Sequence, residues 1–151
     1  MAKPFSLQTL LDLSQLRMDE AGRKLVELLA GAQKDDQRVV LLQQYRDEYS
    51  ERFVAAAKLG IGRDTMNNYQ FFLVKLDQAI AQAQNMAAQA KQRTVAGQRA
   101  WLDQRSQVKA FDTLSQRHHS REQYIENRKE QKVQDEHAAR NHRVDGDSNE
   151  E

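Results

Sequence analysis

The sequence lacks several residue types that would carry chemistry or break helices: it has no cysteine and only one proline. Without cysteine there is no disulfide, no cysteine zinc site and no thiol nucleophile, and this usage is compatible with a reducing compartment. No stretch approaches the roughly 18–20 consecutive apolar residues of a transmembrane helix. No basic segment followed by an apolar one opens the chain, so we expect no secretory leader.

An excess of charge of one sign is also missing. The 151 residues include 23 Lys and Arg against 22 Asp and Glu, which gives a formal net charge of +1. This balance argues against a protein that depends on attraction to phosphates. Charged residues make up 30% of the chain and the AVILMFWYC set only 39%. That composition is poor in apolar residues for a compact globule and is typical of long exposed helices.

The few helix-breaking residues divide the chain into two long segments. Pro4 precedes Ser6, a suitable N-cap because its hydroxyl can accept a hydrogen bond from a backbone N–H of the first turn. Gly60 and Gly62 mark a turn, and Asp64 or Thr65 can cap the helix that follows. No proline interrupts either segment.

Both segments repeat apolar residues in alternating steps of four and three, which is the 3.5-residue period of a coiled coil. In the first segment the positions are Leu7, Leu11, Ser14, Met18, Ala21, Leu25, Leu28, Ala32, Asp35, Val39, Leu42, Arg46, Tyr49, Phe53 and Ala56. Only Ser14, Asp35 and Arg46 among them are polar. In the second they are Met66, Tyr69, Leu73, Leu76, Ile80, Ala83, Ala87, Ala90, Thr94, Gly97, Trp101, Gln104, Val108, Phe111, Ser115, His118, Glu122 and Ile125. This second repeat weakens at Thr94 and Gly97.

The pattern predicts an all-α fold in which two long helices form an antiparallel coiled-coil hairpin with a C-terminal helical overhang. The predicted boundaries are a single domain at 1–144, helix 1 at about 6–59, the turn at 60–63, helix 2 at about 64–140, and a disordered acidic tail at 145–151. With this turn, the numbers of facing residues sum to about 123. Residues from about His118 to Arg140 therefore extend beyond helix 1 and form the overhang.

The sequence offers no site for catalysis, a cofactor or a metal ion, so we expect a protein that is not an enzyme. Gly60 and Gly62 lack the preceding strand and the lysine of a phosphate-binding loop. The histidines are His118, His119, His137 and His142, and none are spaced four apart as in a helical metal site. The cations of the overhang alternate with glutamates, which favours pairing along an exposed helix over a nucleic-acid interface.

A protein-binding surface is the function that the pattern favours. If Leu73 and Leu76 lie in the seam, Phe71 takes heptad position f and Phe72 position g, and Tyr45 flanks the seam on helix 1. Exposed aromatic side chains predict a docking patch. The alternative is a local change of register that turns Phe72 inward in place of Leu73. The polar overhang, in turn, is either a solvated helix or a helix held by another protein.

These residues, taken in order, resemble the flagellar export protein FliJ family. The resemblance covers roughly residues 6 to 140 and rests on an ordered set of short motifs with the glycine turn in place. The matching segments are Leu13 to Ala21, Tyr45-Arg46-Asp47-Glu48-Tyr49, Asn68-Tyr69-Gln70-Phe71-Phe72 with Leu76-Asp77 and Ala79-Ile80, Trp101, and Arg128-Lys129-Glu130-Gln131-Lys132 with Asp135-Glu136.

The resemblance implies a component of the flagellar type III export apparatus that is similar to the central stalk of rotary ATPases. Such a protein would bind and stimulate the hexameric export ATPase, associate with its regulator, and link it to the export gate protein FlhA and to export chaperones. It would be cytoplasmic and peripherally associated with the inner face of the cell membrane at the flagellar base. Nucleic acid is not among the implied partners, and membrane contact is only peripheral.

The resemblance also assigns residues to the two main partners. The gate-binding set, to which the exposed Phe71 is added, is Tyr45, Tyr49, Phe71, Phe72, Leu76 and Ala79. The ATPase-binding set is Arg128, Glu130, Gln131, Asp135 and Glu136. Leu76 is also a seam position, so a structural role competes with gate binding there. Alternatives for the whole chain are a general export chaperone or chaperone escort, the stalk of a virulence injectisome, and a purely structural coiled coil.

Overall fold

The computed structural model describes residues 3–147 and shows two long helices packed against each other as a hairpin. Helix α1 is Gln8–Leu59 and helix α2 is Arg63–Asp147, and the described residues include no strand. The all-α hairpin predicted from the repeat is confirmed. Helix α2 continues to Asp147, past the expected end near residue 140. The rest of the predicted acidic tail, residues 148–151, lies outside the described residues.

The ends of the helices follow from local backbone chemistry. The α1 helix begins at Gln8, two residues after Ser6, and the Gln8 N–H donates a 3.1 Å hydrogen bond to the Phe5 carbonyl oxygen. It ends at Leu59 because Gly60 adopts a φ of 90°, a left-handed conformation that glycine reaches without steric cost. Asp64 lies in the first turn of α2, where a carboxylate complements the positive end of the helix dipole.

Both helices contribute to two compact units. The loop unit comprises residues 18–103 and contains the connection between the helices. The terminal unit comprises residues 3–17 and, within the described part of the chain, residues 104–147.

In the loop unit the predicted register is observed. Arg46 pairs with Asp77, a methyl group on Gly22 would contact Trp101, and Phe53 stacks on Tyr69. The residue numbers of these pairs sum to 123, 123 and 122, in agreement with the expected 123. Every predicted seam position of α1 in this unit is half-buried, and on α2 only Met66 is exposed.

In the terminal unit the N-terminal residues pack against α2. Leu11 and Ser14 of α1 and Ser115 of α2 are buried at seam positions. Ahead of α1, the Phe5 ring lies 5.6 Å from the His118 ring, and the carbonyl oxygen of Lys3 lies 2.8 Å from Nε2 of His118. The Lys3 N–H also donates a 3.4 Å hydrogen bond to Oε2 of Glu122. The overhang predicted from about His118 therefore begins only after Glu122.

Small residues occupy the α2 side of the seam between Ala83 and Gly97. Ala83 and Ala90 are among the most buried side chains of the described chain. A methyl group built on Gly97 would lie only 2.7 Å from Cδ1 of Leu28. The leucine side chain therefore fills the space that glycine leaves open, and the weak stretch of the second repeat is a region of close helix packing.

Gly31 offers a contrast with Gly97 that tests this packing. A methyl group built on Gly31 would meet nothing within 4 Å, and its φ is not positive. We expect Gly31→Ala to raise the free energy of unfolding by about 0.5–1 kcal/mol, because alanine is the better helix former. Gly97→Ala should give no such gain, since Leu28 must move. Urea unfolding followed by circular dichroism measures both variants, and equal stabilisation would contradict close packing at Gly97.

Candidate interaction surfaces

Five aromatic rings form a continuous cluster in the loop unit. We call this set the aromatic cluster: Tyr45, Tyr49, Phe53, Tyr69 and Phe72. The three rings of α1 are four residues apart and the two of α2 three apart, so each helix presents its rings on one face. The closest pair is Tyr49 with Phe72, whose ring centroids are 4.5 Å apart. Tilted and edge-on pairs at these distances are the favourable arrangements of aromatic rings.

Phe72 packs inward rather than facing solvent. Its ring lies edge-on to Tyr45 at 6.2 Å as well as against Tyr49. Leu73 is half-buried too, so Phe72 does not replace it in the seam. Phe72 is therefore not a freely exposed member of the expected docking patch. The alternative, a change of register, is only partly observed, because Phe72 turns inward but Leu73 also stays in the seam.

Phe71 is the exposed aromatic residue beside the cluster. Its side chain is 64% exposed, and the Nζ atom of Lys75, four residues on, lies 5.3 Å from the ring centroid. Tyr45 is the exposed ring of the cluster itself. An exposed phenylalanine and tyrosine on neighbouring helices of the loop unit supply the apolar contact area that protein partners use.

The remaining members of the gate-binding set are less accessible. Leu76 is only 7% exposed, which places it in the seam between the helices. This position supports a structural role for Leu76 rather than direct gate binding. Ala79 is half-buried. Of the six residues assigned to the gate, the structure brings Tyr45, Tyr49 and Phe72 into contact and leaves Phe71 at the surface.

An ion pair that we did not anticipate borders the aromatic cluster. The guanidinium Nε of Arg46 donates a 2.5 Å hydrogen bond to Oδ1 of Asp77. That hydrogen bond, and then the negative charge of Asp77, raise the pKa of Arg46 above its ordinary value. Both side chains remain substantially exposed, so the pair contributes little to stability. The pair could have been predicted from the sequence, because the residue numbers 46 and 77 sum to the 123 expected of facing residues.

The second candidate surface is residues 123–140 of α2, which we call the exposed segment. Every side chain in it is exposed although the backbone is helical throughout. Tyr124 and Arg128 interact along the helix, with the guanidinium carbon 5.9 Å from the ring centroid. Oppositely charged residues four apart, such as Lys132 with Glu136, favour the helix further.

The ATPase-binding set falls entirely on the exposed segment. All five residues are exposed. At about 100° per residue, Arg128, Gln131 and Asp135 share one face of the helix, whereas Glu130 lies on the opposite side. A partner that contacts all five would have to surround the helix, and a partner on one side would contact the first three.

Within residues 3–147 no three His, Asp or Glu side chains are grouped so that they could hold a metal ion. His118 contacts the N-terminal residues and stacks edge-on with His119 at 5.8 Å. None of the helices in this range combines the length and the hydrophobicity needed to cross a membrane.

Comparison with known proteins gives one consistent result. The family model described as flagellar FliJ protein matches residues 3–146. The chain is 31% identical over 140 residues to the flagellar FliJ protein of Salmonella typhi, which covers 93% of this chain and 95% of the relative. The same values hold for the flagellar FliJ protein of Escherichia coli strain K12.

Proposed function

Because the chain belongs to the FliJ family of flagellar proteins, we propose that it acts as a stalk-like adaptor of the flagellar export apparatus. It binds and stimulates the hexameric export ATPase through the exposed segment, and it links the ATPase to the export gate protein FlhA. The flagellar names of the relatives favour this system over the virulence injectisome.

The observation that carries the ATPase part of the proposal is the exposed segment. A helix gains most of its stability in a protein by packing an apolar face, yet all side chains of residues 123–140 are exposed. A single helix, about 10–12 Å wide with its side chains, suits insertion into the central opening of a ring. Contacts from all sides would then explain why Glu130 and Arg128 occupy opposite faces.

The adaptor supplies no catalytic group in this mechanism. It changes the rate of ATP hydrolysis because it binds one arrangement of the ring subunits more tightly than another and thereby shifts their populations. By linkage, the nucleotide state of the ring alters the affinity for the adaptor.

Truncation tests the assignment of the ATPase to the exposed segment. A chain that ends at Glu122 is expected to bind the cognate export ATPase at least about tenfold more weakly, since the interface residues are removed. A chain that ends at Arg140 keeps the segment and serves as the control. Binding is measured by co-sedimentation, and helix content by circular dichroism. Equal binding of the two truncated chains would contradict the assignment.

The gate part of the proposal rests on Phe71 and Tyr45, the exposed aromatic side chains at the aromatic cluster. By resemblance Tyr49, Phe72 and Ala79 contribute to the same surface, and their packing holds the exposed rings in place. Leu76 acts from the seam as a support for this surface.

Phe71→Ala tests gate binding without disturbing the fold. We expect it to weaken binding to the cytoplasmic domain of the gate by about tenfold, the usual effect of truncating an aromatic anchor. The melting temperature should stay unchanged because the ring is exposed. Met86→Ala, at another exposed side chain of α2, is the matched control and should bind normally. An unaltered affinity of Phe71→Ala, or an equal loss in both variants, would overturn the assignment.

A general export chaperone or chaperone escort is the alternative function. It would need the same exposed helical surfaces, so binding assays distinguish it. An escort binds export chaperones or substrates with no change in ATP hydrolysis, whereas the adaptor changes the hydrolysis rate.

A further inference from the structure

A groove in the loop unit is not used by either surface of the proposed function. It is open to solvent, has a volume of about 670 Å³ and is lined mainly by apolar surface. Its lining residues are Gly22, Arg23, Leu25, Val26, Glu27 and Trp101. None of them belongs to the aromatic cluster or to the exposed segment.

Gly22 gives the groove its shape. A methyl group on Gly22 would lie 3.4 Å from Nε1 of Trp101, so the indole lies close against this point of α1. A glycine inside a long helix costs about 1 kcal/mol relative to alanine. Because Gly22 has no side chain, it leaves space in the groove beside the indole. Trp101 and Leu25 line the groove next to it.

The apolar surface extends beyond the lining residues along both helices. Val26 is 66% exposed, and Val95 and Leu102 are exposed on α2. All three occupy heptad position b, which lies on the same side of the seam in two antiparallel helices. Leu29, also exposed, continues the α1 wall three residues after Val26. The groove therefore has two parallel apolar walls, and a third helix fits such a shape.

The charges around the groove select among helices. Between Asp77 and Asp103, α2 contains no acidic residue but carries Lys91, Arg93 and Arg99. Lys91 and Arg99 occupy positions e and f, on the groove side of α2, and Arg23 stands on the α1 wall. Glu27 is the acidic lining residue. The α2 wall is thus basic, whereas the α1 wall is mixed, since Asp19 lies at position b one heptad before Val26 and Asp36 at position e one heptad after Leu29.

We infer that this groove binds an amphipathic helix of another protein, with an apolar stripe placed against Trp101 and acidic residues on the flank that faces α2. The apolar stripe would bury Val26, Val95 and Leu102, and carboxylates along the α2-facing flank would face Lys91 and Arg99. Apolar burial supplies the affinity, and the charge complementarity selects acidic over basic helices.

Trp101 is the sole tryptophan of the chain, so its fluorescence reports on this groove alone. The probe is a stapled, tryptophan-free helical peptide with leucine at positions a and d and glutamate along the flank that faces α2. A second peptide has lysine in place of each glutamate. Titration of the full chain with the glutamate peptide should give a saturable blue shift. The lysine peptide should bind at least about tenfold more weakly, because its charges repel the α2 wall.

Two matched variants locate the binding. Val26→Glu places a charge on the groove wall and is expected to weaken binding of the glutamate peptide by at least about tenfold. Val40→Glu makes the same change at the same heptad position, about 21 Å further along α1, and should bind as the unmodified chain does. The two valines are 66% and 50% exposed, so neither change should unfold the protein.

Each contrary result overturns the inference. Equal affinity for the two peptides would show that the site has no preference for acidic helices. Equal effects of the two variants would show that the peptide does not bind in the groove. A blue shift that depends on protein concentration without peptide assigns the groove to a second copy of the chain. No fluorescence response to the glutamate peptide excludes an acidic helix as the occupant.

Discussion

Leu76→Ala is expected to lower the free energy of unfolding by about 2–3 kcal/mol, the usual cost of removing a buried leucine side chain and leaving a cavity. Leu76 is 7% exposed, and no large side chain of the described chain is fully buried. Because a seam between two helices buries little apolar area, this loss is a large share of the stability that such a fold possesses. Urea unfolding followed by circular dichroism measures it.

Val74→Ala is the control for the Leu76 experiment. Val74 lies two residues away on the same helix but is 54% exposed, so its truncation should change the free energy of unfolding by less than about 0.5 kcal/mol. Equal effects of the two variants would show that Leu76 is not a seam residue. The pair also separates fold from gate binding, since a Leu76 variant that loses both has lost gate binding through the fold.

With Val133→Pro, the rate of ATP hydrolysis should fall to that of the ATPase alone. Proline removes a backbone hydrogen bond and clashes with the preceding turn, which costs about 3 kcal/mol in a helix interior. Val133 is exposed, so no packing around its side chain opposes the break. It is also outside the ATPase-binding set, so the substitution breaks the helix without removing any of the assigned side chains.

Val133→Ala provides the comparison for this substitution. It removes the same apolar side chain and keeps the helix, so stimulation should be retained. The melting temperature of both variants should equal that of the unmodified chain. Full stimulation by Val133→Pro would mean that a continuous helix through residue 133 is not required, and the stalk-like mechanism would be wrong.

The fold was predictable because one physical signal dominates the sequence. Apolar residues at a 3.5-residue period must face a common partner, and the glycine turn makes that partner the other half of the chain. Of the predicted seam positions, only Met66 and Ile125 are exposed. They lie near opposite limits of the second repeat, Met66 in the first turns of α2 and Ile125 within the exposed segment.

Local packing was less predictable because the repeat does not specify how far apart the helices lie. Thr94 and Gly97 interrupt the apolar pattern, yet Leu28 of α1 packs there and fills the space beside Gly97. The groove at Gly22 and Trp101 arises from the same contrast of small and large residues. Phe72 illustrates the same limit of the pattern, since position g can turn inward onto Tyr49 when aromatic rings attract it.

The heptad pattern indicated exposed surfaces, but the partners and the residues assigned to each were predicted from the resemblance, and physical reasons explain this difference from the fold. A seam residue is constrained by its facing residue within the same chain, so the sequence contains both halves of the contact. Arg128 and Asp135 are constrained by a partner whose sequence is elsewhere. The exposed charges of a helix have the same pattern whether they face water or a protein.

The rate of ATP hydrolysis by the cognate export ATPase, measured with the full chain, with the chain ending at Glu122 and without either, tests the central claim most directly. We predict a clear, saturable increase with the full chain and the basal rate with the truncated one. An unchanged rate with a folded, helical full-length chain would contradict the adaptor mechanism, and equal stimulation by both chains would remove the exposed segment from it.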